Sequence, residues 1–229
     1  MSAEAPADAL KATAYIDAGS APIRDFVAAH AGGGEARERA IRLYFAVRDA
    51  IPYDLRYFGI EEEIFVASNC LASAGSFCVP KALTLAAAAR AAGIPARIGF
   101  ADVRNHLASP RILMLMDSDL FRWHAYTLLQ IDGAWVKATP AFDIGFCEQF
   151  GVRPLEFDGR TDSIFHPFDT SGRQHMEYVL DRGVHDDMPF DAFRDDMQAN
   201  YPRLITAMAA DRDRRAAAAQ PQPASGTTS

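Results

Sequence analysis

Apolar residues recur at helical spacing through Gly34–Asp49, and a second helical stretch, Pro22–Ala31, precedes it across the breaker Gly32-Gly33-Gly34. Ile51-Pro-Tyr-Asp-Leu-Arg-Tyr57 then reads as the exit from the longer helix. Lys81–Ala92 is a run of strong helix formers; Pro80 suits the first turn, where its missing N–H is harmless, and Gly93 ends the run. From Ile94 to Val103 the pattern alternates as a strand, with Pro95 confined to its first residues. A second strand, Arg122–Ile131, is rich in aromatic and β-branched residues and is predicted to turn at Asp132-Gly133 into a third, Ala134–Ala138. That turn sets the register, so that Tyr126 faces Thr139 and His124 lies one diagonal step away on the same face.

Phe146–Asp169 has little periodicity and many Gly, Pro, Phe and Asp residues, which predicts a long loop anchored on the core by Phe150, Phe157, Phe165 and Phe168. Asp191–Arg214 carries Phe193, Met197, Tyr201, Leu204 and Met208 as an apolar stripe, the mark of a helix that Pro202 kinks or divides. Ala216–Ser229 offers no apolar anchor and predicts a disordered tail. The expected architecture is α+β, a single domain over residues 1–215 with N-terminal helices and one helix packed on an antiparallel sheet.

Composition narrows the class. Of 229 residues 49% are hydrophobic, yet no run approaches the roughly 20 apolar residues needed to cross a bilayer, so a sizeable core is expected and a membrane partner is not. Met1-Ser-Ala-Glu-Ala-Pro-Ala-Asp8 lacks the basic start and apolar stretch of a signal peptide, which makes the cytoplasm the expected compartment. Three cysteines, without close-paired spacing, argue against a disulfide scaffold and against a zinc cluster. A net charge of −7 argues against a nucleic-acid partner, and the basic cluster within Asp211–Arg215 reads as a solvated helix end. The sequence contains no phosphate-cradling glycine loop, dinucleotide fingerprint or metal-ligand spacing, so no cofactor and no metal is expected. Oligomeric state has no signature here.

One cysteine stands apart. Gly75-Ser-Phe-Cys-Val-Pro-Lys81 puts Cys78 where a helix begins, and the unpaired N–H groups and positive dipole end there stabilise an anion. The thiol is therefore expected to ionise below its ordinary value of roughly 8.5 and to act as a nucleophile. Such a nucleophile works with an imidazole that takes its proton and returns it to the leaving group. His124 is the candidate, with a polar group at or just past Thr139 placed to steer it. His106, in Val103-Arg-Asn-His-Leu107, is a rival base on a loop bordering the cleft. Cys70 and Cys147 lack a clear helix-start setting and read as structural; His30, His166, His175 and His185 read as packing or surface residues.

These residues resemble the transglutaminase-like superfamily of papain-like cysteine enzymes. The resemblance lies in the glycine-rich approach Gly75–Cys78, the Ala/Leu-rich helix to Ala92, Arg90-Ala-Ala-Gly-Ile-Pro-Ala-Arg97, His124-Ala-Tyr126, and the Trp-containing strand Trp135–Pro140. It covers about Ile41–Asp143, in family order. It implies a papain-like core, Cys78 as nucleophile and His124 as base. The family's usual Asp that orients the histidine is replaced by Thr139; Asp143, just beyond the strand, has the charge and is taken as the third member, with Thr139 the alternative. The same resemblance leads the stretch after the second helix toward the cleft, so Tyr53, Tyr57 or the loop to Asn69 is expected to line it. The backbone N–H of Cys78 is the natural first oxyanion donor.

The expected activity is acyl transfer from a peptide or other amide substrate through a thioester, with hydrolysis favoured over transfer to an amine. Two other classes stand beside it: a noncatalytic binding module that keeps the fold, and a structural or interaction protein working through its acidic surface and C-terminal helix.

Overall fold

The structure, a computed structural model, describes residues 7–219 apart from residues 107, 166–168, 170 and 173–174. Two helices lead, α1 (Ala21–His30) and α2 (Ala36–Ala50), followed by the short α3 (Ala67–Ala72) and by α4 (Cys78–Ala91). Then come β1 (Ala96–Asn105), α5 (Pro110–Met116), β2 (Leu120–Ile131), β3 (Ala134–Ala138), α6 (Ile144–Phe150), β4 (Met176–His185), α7 (Phe190–Asn200) and α8 (Pro202–Ala219). The strands form one antiparallel sheet in the order β3-β2-β1-β4. This is the expected α+β arrangement, helices against one antiparallel sheet.

α4 is the centre of the fold. Every residue from Val79 to Arg90 is buried, so the helix has no polar face to turn outward, as its Ala-rich sequence requires of a fully enclosed helix. Its small side chains let α1, α2, α3 and the sheet approach closely, and Leu83 and Leu85 fill the centre of the core. Its three polar residues are satisfied through backbone carbonyls. Thr84 Oγ1 donates to Pro80 and Ala67, Lys81 Nζ to Arg48 and Ile51 at the end of α2, and the Arg90 guanidinium to Ala96, Lys11 and Asp186. Arg90 thereby ties the N-terminal segment and the β4–α7 link to the helix.

The β2–β3 hairpin turns as the sequence dictates. Asp132 (φ 51°) and Gly133 (φ 81°) both occupy the left-handed region that a two-residue hairpin of this kind requires, and Ile131 pairs with Ala134. Thr127 pairs with Ala138, so Tyr126 stands level with Thr139 as predicted.

Several elements differ from expectation. α6 occupies the first residues of what reads as loop, because Asp143 caps it by accepting the Phe146 N–H. The C-terminal helix is divided ahead of Pro202, as expected of that proline: α7 and α8 are separate, broken at Tyr201 (φ −130°, ψ 42°). The second of them continues through 216–219, the first residues of the expected tail, while residues 220–229 lie outside the described residues. α3, α5 and β4 have no counterpart in the sequence reading. No helix among the described residues is long and apolar enough to cross a membrane.

Candidate active site

Cys78 is the first residue of α4, and the chain before it is held from two sides. Ser76 forms a parallel bridge with Tyr53: its N–H donates to Pro52 and its carbonyl accepts from Asp54. Gly75 is needed for that close approach, since a Cβ there would stand 2.8 Å from the Tyr57 ring and 3.3 Å from the Asp54 Cβ. One turn further on, Thr127 Oγ1 of β2 donates to the Ala82 carbonyl at 2.7 Å and pins α4 to the strand that carries His124. The backbone N–H groups of Ala125, Val79 and Cys78 itself act on the sulfur. Ala125 follows His124 directly, so β2 meets the nucleophile at that point.

His124 is aimed by a β-bulge. Ala101 pairs with His124 and Val103 with Phe121, which leaves Arg122 and Trp123 of β2 opposite the single residue Asp102 of β1. Such two-against-one bulges bend a strand and redirect its side chains. Trp123 carries the distortion at φ 59°, a region bulky residues rarely occupy and one that costs on the order of 1–3 kcal/mol. The distortion is held by a polar clamp. Asp102, 2% exposed, accepts the Trp123 N–H at 3.0 Å and a two-pronged bond from Arg182. Asp196 of α7 accepts the Trp123 indole N–H at 2.9 Å and a second Arg182 contact at 3.1 Å, while the Arg182 guanidinium lies 4.7 Å above the indole ring. Nothing in the sequence signals this clamp, because a bulge that joins β1, β2, β4 and α7 leaves no local pattern.

The third position departs from expectation. Asp143 does not orient His124: one carboxylate oxygen accepts the Tyr53 N–H at 2.6 Å and the other caps α6 at 3.0 Å. Thr139 is buried beside the site, but its Oγ1 makes no hydrogen bond; the nearby Tyr178 phenol on β4 is its polar neighbour. His124 Nε2 is likewise sealed from solvent and without a partner, and no hydrogen bond joins its ring to Cys78. The ring packs instead on Phe165, with centroids 4.8 Å apart.

Burial governs the electrostatics. It pushes the Cys78 thiol up to about 11, against the three N–H groups that favour the thiolate. It also pushes His124 down to about 3. The expected low-pKa thiolate is therefore absent from this conformation: at neutral pH the side chains are a neutral thiol beside a neutral imidazole. The helix terminus acts in the expected direction, but desolvation is larger. Burial raises Cys70 and Cys147 too, so what distinguishes Cys78 is its place and not its acidity. Beneath it Lys81, wholly buried, is lowered to about 8 by the same cause, with Asp143 opposing.

Cys78 and His124 line one cavity of about 570 Å³. Tyr53 lines it as the sequence suggests, its phenol raised well above its ordinary value by burial, whereas Tyr57 packs beneath Arg215. His106 is no second base: it stays outside the cavity and faces Glu177 at 3.5 Å. His175, read from sequence as a packing or surface residue, is buried in the cavity wall between Phe142 and Phe165. Among the described residues, neither of the other two histidines lines the cavity. His30 lies against Phe26, His185 against Phe100, and His166 is outside the described residues. Cys70 and Cys147 are buried, unpaired thiols. Of the phenylalanines expected to anchor the long segment, Phe157 and Phe165 are buried, Phe150 is half exposed at the cavity, and Phe168 is outside the described residues.

Residues 24–140 match the sequence profile of the transglutaminase-like superfamily. No curated protein sequence matches the chain. Two solved structures are similar to it. A Cytophaga hutchinsonii protein designated a candidate cysteine protease superposes with a TM-score of 0.44 at 15% identity, over 77% of this chain and 53% of that one. The chain thus spans about half that protein's length. An arylamine N-acetyltransferase from Salmonella typhimurium superposes with a TM-score of 0.48 at 17% identity, over 84% of this chain and 72% of that one.

Proposed function

We propose that this chain, which belongs to the transglutaminase-like superfamily, is a cysteine-dependent acyl-transfer enzyme that opens an amide or related acyl bond through a thioester on Cys78. Members of that superfamily are usually cysteine-dependent enzymes. The observation that carries the reading is positional: the first residue of the central helix and the bulge-aimed histidine of β2 line the same cavity, with the Ala125 N–H at the sulfur.

Because thiol and imidazole are both neutral, proton transfer accompanies attack instead of preceding it. As Cys78 Sγ bonds to the substrate carbonyl carbon, His124 takes the thiol proton and delivers it to the departing amine or alcohol. The Cys78 N–H, at the open end of α4, donates to the oxygen as charge develops. Water then adds to the thioester, releasing the carboxylic acid and restoring the thiol. Hydrolysis is the assigned outcome, since water is always available as acceptor. The three free thiols suit a reducing compartment such as the cytoplasm.

Intact-mass and peptide-mapping spectrometry after brief exposure to an activated acyl ester tests the proposal. One acyl group on Cys78, absent from Cys70 and Cys147, is expected; label on none of the three, or equally on all, contradicts it. A second reading, a noncatalytic module that keeps the fold, is favoured by the unpartnered His124 Nε2 and by the engagement of the Asp143 carboxylate with Tyr53 and α6 instead of with the imidazole. It predicts the second result.

A further inference from the structure

The cavity walls come from two separate apolar clusters. Tyr53, Cys78 and Phe121 pack against both, so the nucleophile stands at the seam. On one side Met116, Met197 and Leu204 belong to the main core, brought there by α5, α7 and α8. On the other Phe142, Val152 and Met176 belong to the smaller cluster around α6 and the start of β4. Aromatic rings of the main core, among them Phe58, Phe77 and Trp123, extend its side of the wall.

Charge is scarce and already answered. Asp54 and Arg56 reach the cavity as an ion pair at 2.6 Å, and Arg122 faces Asp196 at 3.5 Å. A charged substrate finds no free counter-ion among these groups. At about 570 Å³ the space is that of a small-molecule site, which typically spans roughly 300–1,000 Å³. A short polar side chain would leave most of the wall wet.

From these walls we infer that the substrate is a neutral ester, thioester or amide whose acyl portion is apolar, of at least hexanoyl length or carrying a ring, and is buried in this cavity while Cys78 attacks its carbonyl. The inference rests on the acyl-transfer reading above. In the step, the Sγ–C bond forms and the bond from carbonyl carbon to leaving group breaks, with the thiol proton passing through His124 to that group. Water supplies the hydroxyl of the product acid and the proton that returns to sulfur.

The test uses the full-length protein and p-nitrophenyl esters of acetic, butyric, hexanoic and phenylacetic acids, which share one leaving group. The second-order rate of Cys78 acylation is divided by the rate of the same ester with free cysteine, which removes intrinsic reactivity. Burial of each added methylene is expected to raise that ratio about fourfold, so hexanoyl, four methylenes longer, exceeds acetyl by about 250-fold, with phenylacetyl also far above acetyl. Acylation of Cys78 at ratios within threefold across the series overturns the substrate class and leaves the acyl-transfer reading standing. Failure of every ester to acylate Cys78 overturns both.

Discussion

Residue by residue, position and ionisation give opposite indications at Cys78. The side chain occupies the helix start that favours a thiolate, yet burial pushes its pKa up to about 11. Thiolate therefore appears only as the pH rises through the folded-state value, and iodoacetamide alkylation of Cys78 is expected to climb steadily above pH 9, without a reactive plateau below pH 8. A plateau near pH 6–7, followed by peptide mass spectrometry, would instead mean a preformed thiolate–imidazolium pair. Asp143 gives the second residue-scale prediction. Its carboxylate serves the Tyr53 N–H and the α6 cap, so Asp143→Asn is expected to cost about 1 kcal/mol in denaturant unfolding and to leave the acylation rate within threefold. A loss of several orders of magnitude in that rate would return Asp143 to the catalytic group. Cys78 and His124 were legible because each sits in a local motif, a glycine-rich approach to a helix and a His-x-aromatic strand. The state of their protons was not, because desolvation is set by residues far away in the chain.

At the scale of elements, the site depends on how β2 is bent. Asp102 joins the Trp123 N–H to Arg182, and its removal leaves the strained Trp123 N–H without its acceptor and the partly buried Arg182 guanidinium with Asp196 as its remaining carboxylate. Asp102→Ala is expected to destabilise the fold by about 3–5 kcal/mol, read by urea unfolding, and to slow acylation because the bulge no longer aims His124. Asp102→Asn, which keeps an acceptor for Trp123, should recover most of the acylation rate while remaining less stable than the native protein. Equal acylation rates in all three proteins would show that the clamp has no part in positioning. The α4 helix, β1 and the β2–β3 hairpin were readable to within two or three residues, since helix formers, alternation and Asp-Gly each act locally. α5 had a readable start in Ser109-Pro110, whose serine accepts the Ile112 N–H, but a short helix between strands leaves too few residues to show a period. β4 was missed because, as an edge strand exposed along most of its length, it carries no buried alternation for the sequence to display.

For the molecule as a whole, enclosing a neutral histidine makes stability depend on pH. The folded-state pKa of His124, about 3, lies below its ordinary 6.5, so as pH falls the unfolded chain takes up the proton first and the folded state loses ground. The loss begins near pH 6.5 and continues toward pH 3. Between pH 6.5 and 4.5 it amounts to about 2–3 kcal/mol, and His124→Leu should remove that part of the slope in unfolding curves taken at both pH values. An unchanged slope would mean that the imidazole is not enclosed as described. In the proposed mechanism, the same enclosure leaves a neutral cysteine–histidine pair that becomes reactive when an acyl substrate fills the cavity. Stopped-flow acylation of Cys78 by p-nitrophenyl hexanoate at pH 7, in the native protein and in His124→Ala, tests it most directly. A p-nitrophenol burst in the native protein that is about 10²–10⁴-fold faster than in the variant is predicted. Equal rates in the two proteins would contradict the account, because His124 would then have no part in moving the proton.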